Sequence, residues 1–274
     1  MIGPVVTIVT PSYNQGRFIR RTIESVLGQD YSEIEYIVID GGSTDETVSI
    51  LQEYEGDIKW VSEKDDGQTD AINKGIQLSR GSIIAYLNSD DIYLPGTISY
   101  IVEKFNMNKE VDFIYGDFYA IDKADNIIDK IKTISYDPNI LLYDANYISQ
   151  PASFYTKRLI NEIGLFDDSL RYLMDYEFFL RAAKRKVRFM MVPRYLSAIR
   201  YHKDCKTLED GVYPWDEERN RIKKKYARKK VYNPSSMRLL AFIFRMKRYL
   251  KLILRGRIDF MNLRLALKLR RIRA

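Results

Sequence analysis

The first 110 residues alternate short apolar runs with longer stretches in which apolar residues recur at helical spacing. The apolar runs predict β-strands at Val5–Thr10, Ile34–Ile39, Ile58–Ser62 and Ser82–Leu87. Helices are predicted between and after them, at residues 18–29, 43–54, 70–78 and 95–107. Strands and helices that alternate in this way predict βαβ units, an α/β fold class and a mostly parallel central sheet flanked by helices.

The pattern changes after residue 110. Two runs rich in β-branched and aromatic residues, Asp112–Ile121 and Ile127–Ile134, predict a small antiparallel part. Further along, the pattern predicts strands at residues 152–155, 189–192 and 196–201, and helices near residues 158–163 and 175–185. We therefore expect one large α/β domain over residues 1–205.

The C-terminal part has a different composition. Residues 206–235 are polar and turn-rich, which predicts a linker, and residues 236–274 predict a basic amphipathic helical tail. Of the 44 Lys and Arg and 37 Asp and Glu, residues 219–274 hold 20 basic residues and one acid, Asp259. This segment therefore carries a formal +19 and residues 1–218 carry −12, within a net charge of +7.

Such a basic tail predicts contact with an anionic surface. Lys and Arg alone would also attract the phosphates of a nucleic acid. Here the charges accompany a continuous apolar face, including Phe242, Met246 and Leu250, which favours an anionic membrane surface over nucleic acid. The alternative is that this face packs against the α/β domain or a partner.

Composition also predicts the compartment. The single cysteine, Cys205, excludes an intramolecular disulfide framework and is typical of a reducing compartment. The N-terminal residues lack the pattern of a signal peptide, and no stretch is long and apolar enough to span a bilayer. We therefore expect a cytoplasmic protein that is peripheral on the inner face of the cell membrane.

Two adjacent acids, Asp90 and Asp91, follow the predicted strand Ser82–Leu87. Ligands of open α/β sheets gather at the carboxyl ends of the strands, and Mg²⁺ and Mn²⁺ prefer oxygen ligands. The pair therefore predicts a divalent cation that bridges to a phosphate-bearing substrate. The alternative is a solvated turn in which one acid caps the helix that begins after Pro95.

Polar loops also follow the other predicted strands. Thr10-Pro-Ser-Tyr-Asn14 takes the place where a dinucleotide-binding glycine motif would stand, which disfavours simple oxidoreduction, and Tyr13 is suited to stacking on a base. Asp40 ends the second strand beside two glycines and is suited to bind base or ribose; Ser43 and Glu46 have the spacing of a capping box.

The segment Glu63–Gly75 crowds charged and amide groups around the start of the third predicted helix. Helix N-termini attract anions, and Lys74 would neutralise a phosphate there. The alternative is a solvated helix start capped by Asp66 or Asp70.

Together these motifs resemble the inverting nucleotide-sugar glycosyltransferases of family 2, which have the GT-A fold. The matching motifs are Thr-Pro-Ser-Tyr-Asn (10–14), Ile-Asp-Gly-Gly-Ser-Thr-Asp (39–45), Asp-Ala-Ile-Asn-Lys-Gly (70–75) and Leu-Asn-Ser-Asp-Asp (87–91). Their order and spacing agree over roughly residues 5–205, and the resemblance is close to bacterial enzymes that build surface polysaccharides.

The resemblance implies a set of donor-binding residues. The nucleotide pocket would be formed by Pro11, Tyr13 and Asn14, with Asp40 on the base or ribose, and Asp66 beside the donor. Many relatives have a second acid where this chain has Gly41, so UDP, GDP and dTDP donors all stay open.

The resemblance also implies a metal site, for Mn²⁺ or Mg²⁺. Asp91 would ligate the cation directly, and Asp90 would lie nearer the ribose and the metal shell. The only histidine, His202, follows the last predicted strand and is given a donor or metal role.

The catalytic base of relatives lies at the start of a helix in an acidic-Asp-Tyr-acidic pattern. Here the pattern is Met174-Asp-Tyr-Glu177, so Asp175 would be the base that deprotonates the acceptor hydroxyl. Glu177 and Gln150 are expected on the acceptor side, where a glycan or lipid-linked acceptor would bind. For Asp175 the alternative is a helix-capping role.

Two other functions compete with a glycosyltransferase. A sugar-phosphate nucleotidyltransferase would share the general fold, but the glycine-rich loop of those enzymes is not visible after the first strand. A non-catalytic scaffold of a membrane polysaccharide complex is disfavoured because both Asp91 and Asp175 are present.

Overall fold

The computed structural model describes residues 3–202, 205, 215–227 and 233–256. The strands are β1 (Val6–Ser12), β2 (Ile34–Asp40), β3 (Lys59–Ser62), β4 (Ile83–Tyr86), β5 (Ile92–Tyr93), β6 (Phe113–Ile121), β7 (Ile127–Ile131), β8 (Ser153–Thr156) and β9 (Phe189–Arg200). The helices are α1 (Gly16–Leu27), α2 (Thr47–Glu53), α3 (Gln68–Leu78), α4 (Thr97–Met107), α5 (Pro138–Tyr143), α6 (Lys157–Ile163), α7 (Met174–Lys184), α8 (Asp216–Tyr226) and α9 (Pro234–Leu254).

The strands form one sheet in the order β3-β2-β1-β4-β8-β6-β9-β5, and β7 pairs with β6 outside this path. The first four are mutually parallel. β8 is antiparallel to both β4 and β6, β9 returns parallel to β6, and β5 and β7 add antiparallel pairs. The predicted α/β fold with a mostly parallel sheet and a small antiparallel part is confirmed.

Helices cover both faces of the sheet, which is why almost every residue of the strands β1, β2 and β4 is buried. On one face, α1 and α4 bury Ile23 and Ile98 against the sheet. On the other face, α3, α6 and α7 bury Ile76, Leu159 and Phe178. The α3 helix lies so near β1 that a Cβ at Gly75 would stand 2.3 Å from a methyl carbon of Val9.

The parallel register brings the carboxyl ends of the strands to one edge. Ser12 at the end of β1 lies beside Asp40 at the end of β2, and Asp40 lies beside Ser62 at the end of β3. The polar loops that follow β1, β2, β3 and β4 therefore meet at this edge, where ligands of open α/β sheets bind.

Three elements differ from the sequence-based expectation. The two short late strands are one continuous strand, β9, with a register irregularity opposite Gly116 and Asp117. Helix α5, which was not predicted, begins at Asp137, whose carboxylate accepts from two backbone N–H groups. α2 begins at Thr47 rather than at Ser43, because the Ser43 hydroxyl donates to Asp40 instead of capping a helix.

The predicted linker also differs. Helix α8 lies inside residues 206–235 and buries Ile222 in the apolar cluster that contains Ile76, Leu159 and Phe178. This helix has no clear apolar periodicity in the sequence, because eight of its eleven residues are charged. An ion pair from Lys225 and a hydrogen bond from the Tyr226 hydroxyl, both to Glu177, join it to α7.

The tail helix α9 packs on the domain. Tyr249 and Leu252 are buried in a cluster with Ile134 and Ile140. Its basic side chains meet acids of the domain: Arg245 and Arg248 pair with Asp144, Lys247 pairs with Asp137, and Arg255 pairs with Asp117.

This docking leaves an apolar stripe on the outer side of α9. The stripe comprises Leu239, Phe242, Ile243, Met246, Leu250 and Leu254, each between 37 and 78% exposed. The basic face that the sequence suggested for lipid headgroups thus meets the domain, while the exposed stripe is apolar. The rest of the predicted tail, residues 257–274, lies outside the described residues. Among the described helices, none has the length and apolar character needed to cross a bilayer.

Candidate functional site

A cavity of about 1160 Å³ opens at the carboxyl edge of the sheet. Seven of the residues singled out from the sequence line it: Pro11, Tyr13, Asp66, Asp90, Asp91, Gln150 and Asp175. The loops after β1, β3 and β4 contribute one side. The segment 146–151, the start of α7 and the helix α9 contribute the other. The fold thereby brings the predicted donor-side, metal and base residues to one space.

Asp91 forms the buried floor of this cavity. Its side chain accepts from the backbone N–H of Arg200 at 3.0 Å and from the Asn88 side-chain amide at 3.1 Å. Burial, together with the neighbouring charge of Asp90, raises the pKa of Asp91 well above its usual range. Two hydrogen bonds fix the orientation of this carboxyl group.

A possible metal-binding cluster lies beside it. Candidate ligand atoms of Asp90, His202 and Cys205 all lie within 4.8 Å of one another. His202 Nε2 is 3.0 Å from Asp90 Oδ2, whereas its Nδ1 is buried without a hydrogen-bond partner among the described residues. A carboxylate suits Mn²⁺, an imidazole suits several divalent transition cations, and a cysteine sulfur favours softer ions such as Zn²⁺. Asp90 and His202 therefore fit a divalent cation, whereas Cys205 is not a typical Mn²⁺ ligand.

The composition of this cluster differs from the sequence-based set. Cys205 was assigned no role from the sequence, and the only signal was its position three residues after His202. Asp91 adjoins the cluster but its oxygens accept from Arg200 and Asn88. The direct ligand role of Asp91 stays a prediction.

Arg200, which the sequence analysis did not single out as a site residue, holds this region together. Its guanidinium is fully buried, donates from Nε to the Asp90 carbonyl at 2.8 Å and pairs with Asp125. The guanidinium carbon also lies 5.1 Å from the centroid of the Phe18 ring. The feature that marks Arg200 as a site residue is the burial of its guanidinium at the end of β9. This burial is visible only in the three-dimensional structure.

Asp175 occupies the second position of α7 and lines the cavity opposite the donor-side loops. Burial raises the pKa of Asp175 to about 6, although N–H groups at the helix start lower it in part. The Asn146 side-chain amide lies 3.5 Å from its Oδ2. A carboxylate with this pKa is ionised at neutral pH and is a better proton acceptor than an ordinary aspartate.

Other predicted residues shape the donor side. Tyr13 is 60% exposed at the cavity mouth, so its ring is available for stacking. Asp66 is exposed in the loop before α3. Gln150 is buried and donates to the Tyr86 carbonyl at 2.5 Å, which fixes the segment that faces Asn88.

Besides His202, four predicted site residues do not line the cavity. Asp40 is fully buried, and its oxygens accept from the backbone N–H groups of Gly42 and Ser43 and from the hydroxyls of Ser43 and Ser62. Asn14 adopts a positive φ of 51° and accepts from the Thr44 N–H. Both residues therefore hold the loop after β2 in its observed conformation through these hydrogen bonds.

The other two of these residues form ion pairs. Lys74 pairs with Glu63 and Asp70, each at 3.2 Å, and thus does not extend toward the cavity. Glu177 is buried on the far side of α7. Their proposed contacts to donor and acceptor stay predictions.

The chain matches the family model described as Glycosyl transferase family 2 over residues 7–166. An uncharacterized glycosyltransferase of Mycobacterium tuberculosis is 34% identical over 185 residues, which covers 66% of this chain and 70% of that protein. An uncharacterized glycosyltransferase of Rickettsia prowazekii is 31% identical over 187 residues, covering 65% of this chain. The match spans 58% of the length of the Rickettsia protein. Chondroitin synthase of Escherichia coli is 29% identical over 66% of this chain and 27% of that protein.

Solved structures give the same fold. Staphylococcus aureus TarS 1–349 in complex with UDP-GlcNAc superposes with a TM-score of 0.68 at 17% identity, covering 88% of this chain and 71% of that chain. The mannosyltransferase PcManGT of Pyrobaculum calidifontis, in complex with GDP-Man and Mn²⁺, gives a TM-score of 0.58 at 17% identity, covering 74% and 58%. The predicted GT-A-like architecture is therefore confirmed. With more than half of its residues matched by the family model and a GT-A-type fold, the chain belongs to glycosyltransferase family 2.

Proposed function

We propose that this protein transfers a sugar from a nucleoside-diphosphate donor to an acceptor hydroxyl with inversion of configuration. A single observation carries the proposal: one cavity holds both the acidic group at the end of β4, Asp90 and Asp91, and the carboxylate with raised pKa at the start of α7, Asp175. The first group suits a cation and diphosphate, and the second suits a general base.

The donor is proposed to bind along the loops after β1 and β3. The exposed Tyr13 ring offers a stacking surface for the base, and the loop at Asp66 flanks the same side of the cavity. Structural neighbours hold UDP-GlcNAc and GDP-Man, which supports a nucleotide sugar of the uridine or guanosine type. Because position 41 is glycine and not a second acid, the identity of the donor nucleobase is left to experiment.

A divalent cation is proposed at the cluster of Asp90, His202 and Cys205, with Asp91 beside it. The neighbouring mannosyltransferase was solved with Mn²⁺, which supports this assignment. When bound, the cation would stabilise the negative charge that develops on the departing diphosphate. His202 Nδ1 has no hydrogen-bond partner in the described part of the chain, and the orientation of Asp91 is fixed; both observations support a site built for such a ligand.

Asp175 is proposed to remove the proton from the acceptor hydroxyl as that oxygen attacks the anomeric carbon. The hydroxyl oxygen forms the new glycosidic bond while the bond to the diphosphate breaks, and the proton passes to Asp175. One displacement of this kind inverts the anomeric carbon and needs no covalent enzyme intermediate. Asn146, near Asp175 Oδ2, would orient the carboxylate.

The acceptor is proposed to be a growing glycan or a lipid-linked sugar in bacterial surface polysaccharide synthesis, made at the inner face of the cell membrane. The similarity to chondroitin synthase supports a polysaccharide pathway. The apolar stripe of α9 supports an anionic membrane surface as the partner, because basic residues continue in the sequence immediately after it.

A ligand-linked stability screen tests the donor and metal assignments together. UDP, GDP and dTDP are each added with and without Mn²⁺, and the melting temperature is measured, because a ligand that binds only the native state raises it. We expect one nucleotide to stabilise the protein, and to do so more strongly with Mn²⁺. Donor sugars of the selected nucleotide are then tested for transfer, with product anomers read by NMR. Stabilisation by none of the three nucleotides, or a product with retained configuration, would overturn the proposal.

A further inference from the structure

Helix α8 grips the segment that immediately precedes the proposed base. The Glu218 carboxylate accepts from three consecutive backbone N–H groups, those of Arg171 at 2.7 Å, Tyr172 at 3.0 Å and Leu173 at 2.9 Å. Leu173 immediately precedes α7 as its N-cap residue, and its own apolar side chain makes no capping hydrogen bond. Hydrogen bonds to an ionised acceptor are stronger than neutral ones, so this is a firm attachment.

The same helix holds α7 a second time, two residues after the base. Glu177 is 1% exposed, and its carboxylate accepts from Lys225 at 2.8 Å and from the Tyr226 hydroxyl at 2.5 Å. Arg181 completes the neutralisation of Glu177 at 3.0 Å. We call Glu218, Lys225 and Tyr226 the α8 clamp.

The clamp therefore brackets Asp175 on both sides. Its contacts fall on residues 171–173 and on Glu177, while Asp175 itself lines the main cavity and has no hydrogen bond or ion pair with the described residues of α8. The bracketed segment also forms part of the cavity, because Leu170, Arg171 and Tyr172 line it. Movement of this segment would move the carboxylate of Asp175 and reshape the wall beside it.

We propose that Glu218 is a positioning residue that fixes the start of α7, and with it Asp175 and the adjoining cavity wall, in the geometry needed for transfer. The inference rests on the proposed role of Asp175 as the base. Glu218 lies outside residues 7–166, the part matched by the family model, so a helix beyond that match completes the site. A misplacement of about 1 Å at a reacting group can cost on the order of 100-fold in rate, which gives the clamp a kinetic consequence.

Three variants of the full-length chain test the proposal. Glu218→Ala removes all three acceptor contacts. Glu218→Gln keeps one oxygen, which can replace Oε2 as the acceptor for Tyr172 and Leu173, and loses the Oε1 acceptor for Arg171. Glu217→Ala changes the exposed neighbour on the same helix. For each we measure kcat and the donor KM, the Mn²⁺-nucleotide melting shift, and amide hydrogen exchange over residues 171–173.

We expect Glu218→Ala to lower kcat about 10- to 100-fold while the donor KM and the Mn²⁺-nucleotide shift stay within threefold of the wild type. Amides 171–173 should exchange faster in this variant. Glu218→Gln should recover part of the lost kcat, because one of the two acceptor oxygens is kept, and Glu217→Ala should match the wild type in every measurement.

Two results would overturn the inference: a wild-type kcat for Glu218→Ala, or a loss of donor binding equal to the loss of kcat, since the latter means general damage to the domain. Should Glu218→Ala fail to fold, the Gln variant decides: faster exchange at 171–173 with unchanged kcat counts against the clamp. A wild-type rate for Asp175→Asn would instead refute the proposed function, so the two failures are distinguishable.

Discussion

The backbone N–H of Arg200 donates to Asp91 Oδ1 over 3.0 Å, which joins the last residue of β9 to the turn after β4. The Arg200 side chain adds a second tie, from Nε to the Asp90 carbonyl. Because both contacts come from the end of one strand, the two acids and His202, two residues farther on, are held as a unit. The geometry of the proposed metal site therefore depends on β9 as much as on β4.

The first prediction concerns Asp91. In Asp91→Asn we expect the Mn²⁺-dependent part of the nucleotide melting shift to be lost and transfer to fall by more than about 100-fold, because a neutral amide binds a hard cation much more weakly. Thermal melting with and without Mn²⁺ measures the first effect, and a transfer assay measures the second.

The control for this variant is Asp57→Asn, which changes an exposed acid in the turn before β3. It should behave as the wild type. A full Mn²⁺ response in Asp91→Asn would exclude Asp91 from the metal site.

The second prediction concerns Asp175. Asp175→Asn should lower kcat by about 10²–10⁴-fold while nucleotide binding is kept, since an amide cannot accept the hydroxyl proton. In the wild type, kcat should fall as the pH drops through about 6, the value to which burial raises the pKa of Asp175. The base is active only when ionised, so the loss lies on the acid side.

Asp168→Asn provides a matched control, because Asp168 lines the same cavity but is exposed. This variant should keep both the wild-type rate and the acid limb of the pH profile. If Asp175→Asn transfers sugar at the wild-type rate, another residue is the base.

The third prediction concerns stability at the opposite edge of the sheet. Burial acts to raise the pKa of Glu35, but hydrogen bonds from the backbone N–H of Arg80 and from the side chains of Lys59, Thr7 and Arg80 outweigh it and lower the pKa to about 2. A carboxyl group with a lowered folded-state pKa stabilises the fold above its unfolded-state pKa of about 4.3, and this stabilisation is lost as the pH falls toward 2.

Glu35→Gln should therefore lower the free energy of unfolding at pH 7 by about 1–3 kcal/mol, a range reduced from the full pKa shift because Lys59 and Arg80 are largely exposed. The difference from the wild type should shrink between pH 5 and pH 2. Denaturant titrations at pH 7 and pH 3 measure both values. The control Glu162→Gln, at an exposed position of α6, should leave the free energy of unfolding unchanged at either pH. If Glu35→Gln lowers the free energy of unfolding equally at both pH values, the stabilisation by Glu35 is not ionic.

The fourth prediction concerns the exposed stripe of α9. Replacing Leu239, Phe242 and Leu250 by Ser should reduce cosedimentation with anionic phospholipid vesicles at least 10-fold, because each apolar side chain buried in the interface contributes about 1.5–3 kcal/mol. Transfer to a soluble acceptor should be retained, since these three side chains are 57–60% exposed and turn away from the domain.

The control is the double variant Leu78→Ser with Met107→Ser, which removes two exposed apolar side chains elsewhere on the domain. It should bind vesicles like the wild type. Undiminished binding by the α9 variant would remove the stripe from the membrane assignment.

Much of the fold could be predicted from the sequence because its signals are local. Apolar runs such as Ile34–Ile39 and the helical spacing of Phe18 and Ile23 report burial directly. The position of Asp90 and Asp91 at a strand end was equally readable. The capping-box pattern of Ser43 and Glu46 misled because Asp40, three residues earlier at the end of β2, accepts from the same hydroxyl.

The sequence alone determined which segments form buried strands, which family the chain belongs to, and which acids follow β4 and begin α7. Each of these features is encoded by the spacing of residues within short segments. Only the tertiary structure decided which polar groups form hydrogen bonds and ion pairs within the fold and which face the cavity. Asp40 and Glu177 are satisfied internally, whereas Cys205 joins Asp90 and His202, and Glu218 reaches back 45 residues or more to Arg171, Tyr172 and Leu173. Such contacts join residues far apart in the chain, and a hydrogen bond depends on distance and direction in space, which no local pattern specifies.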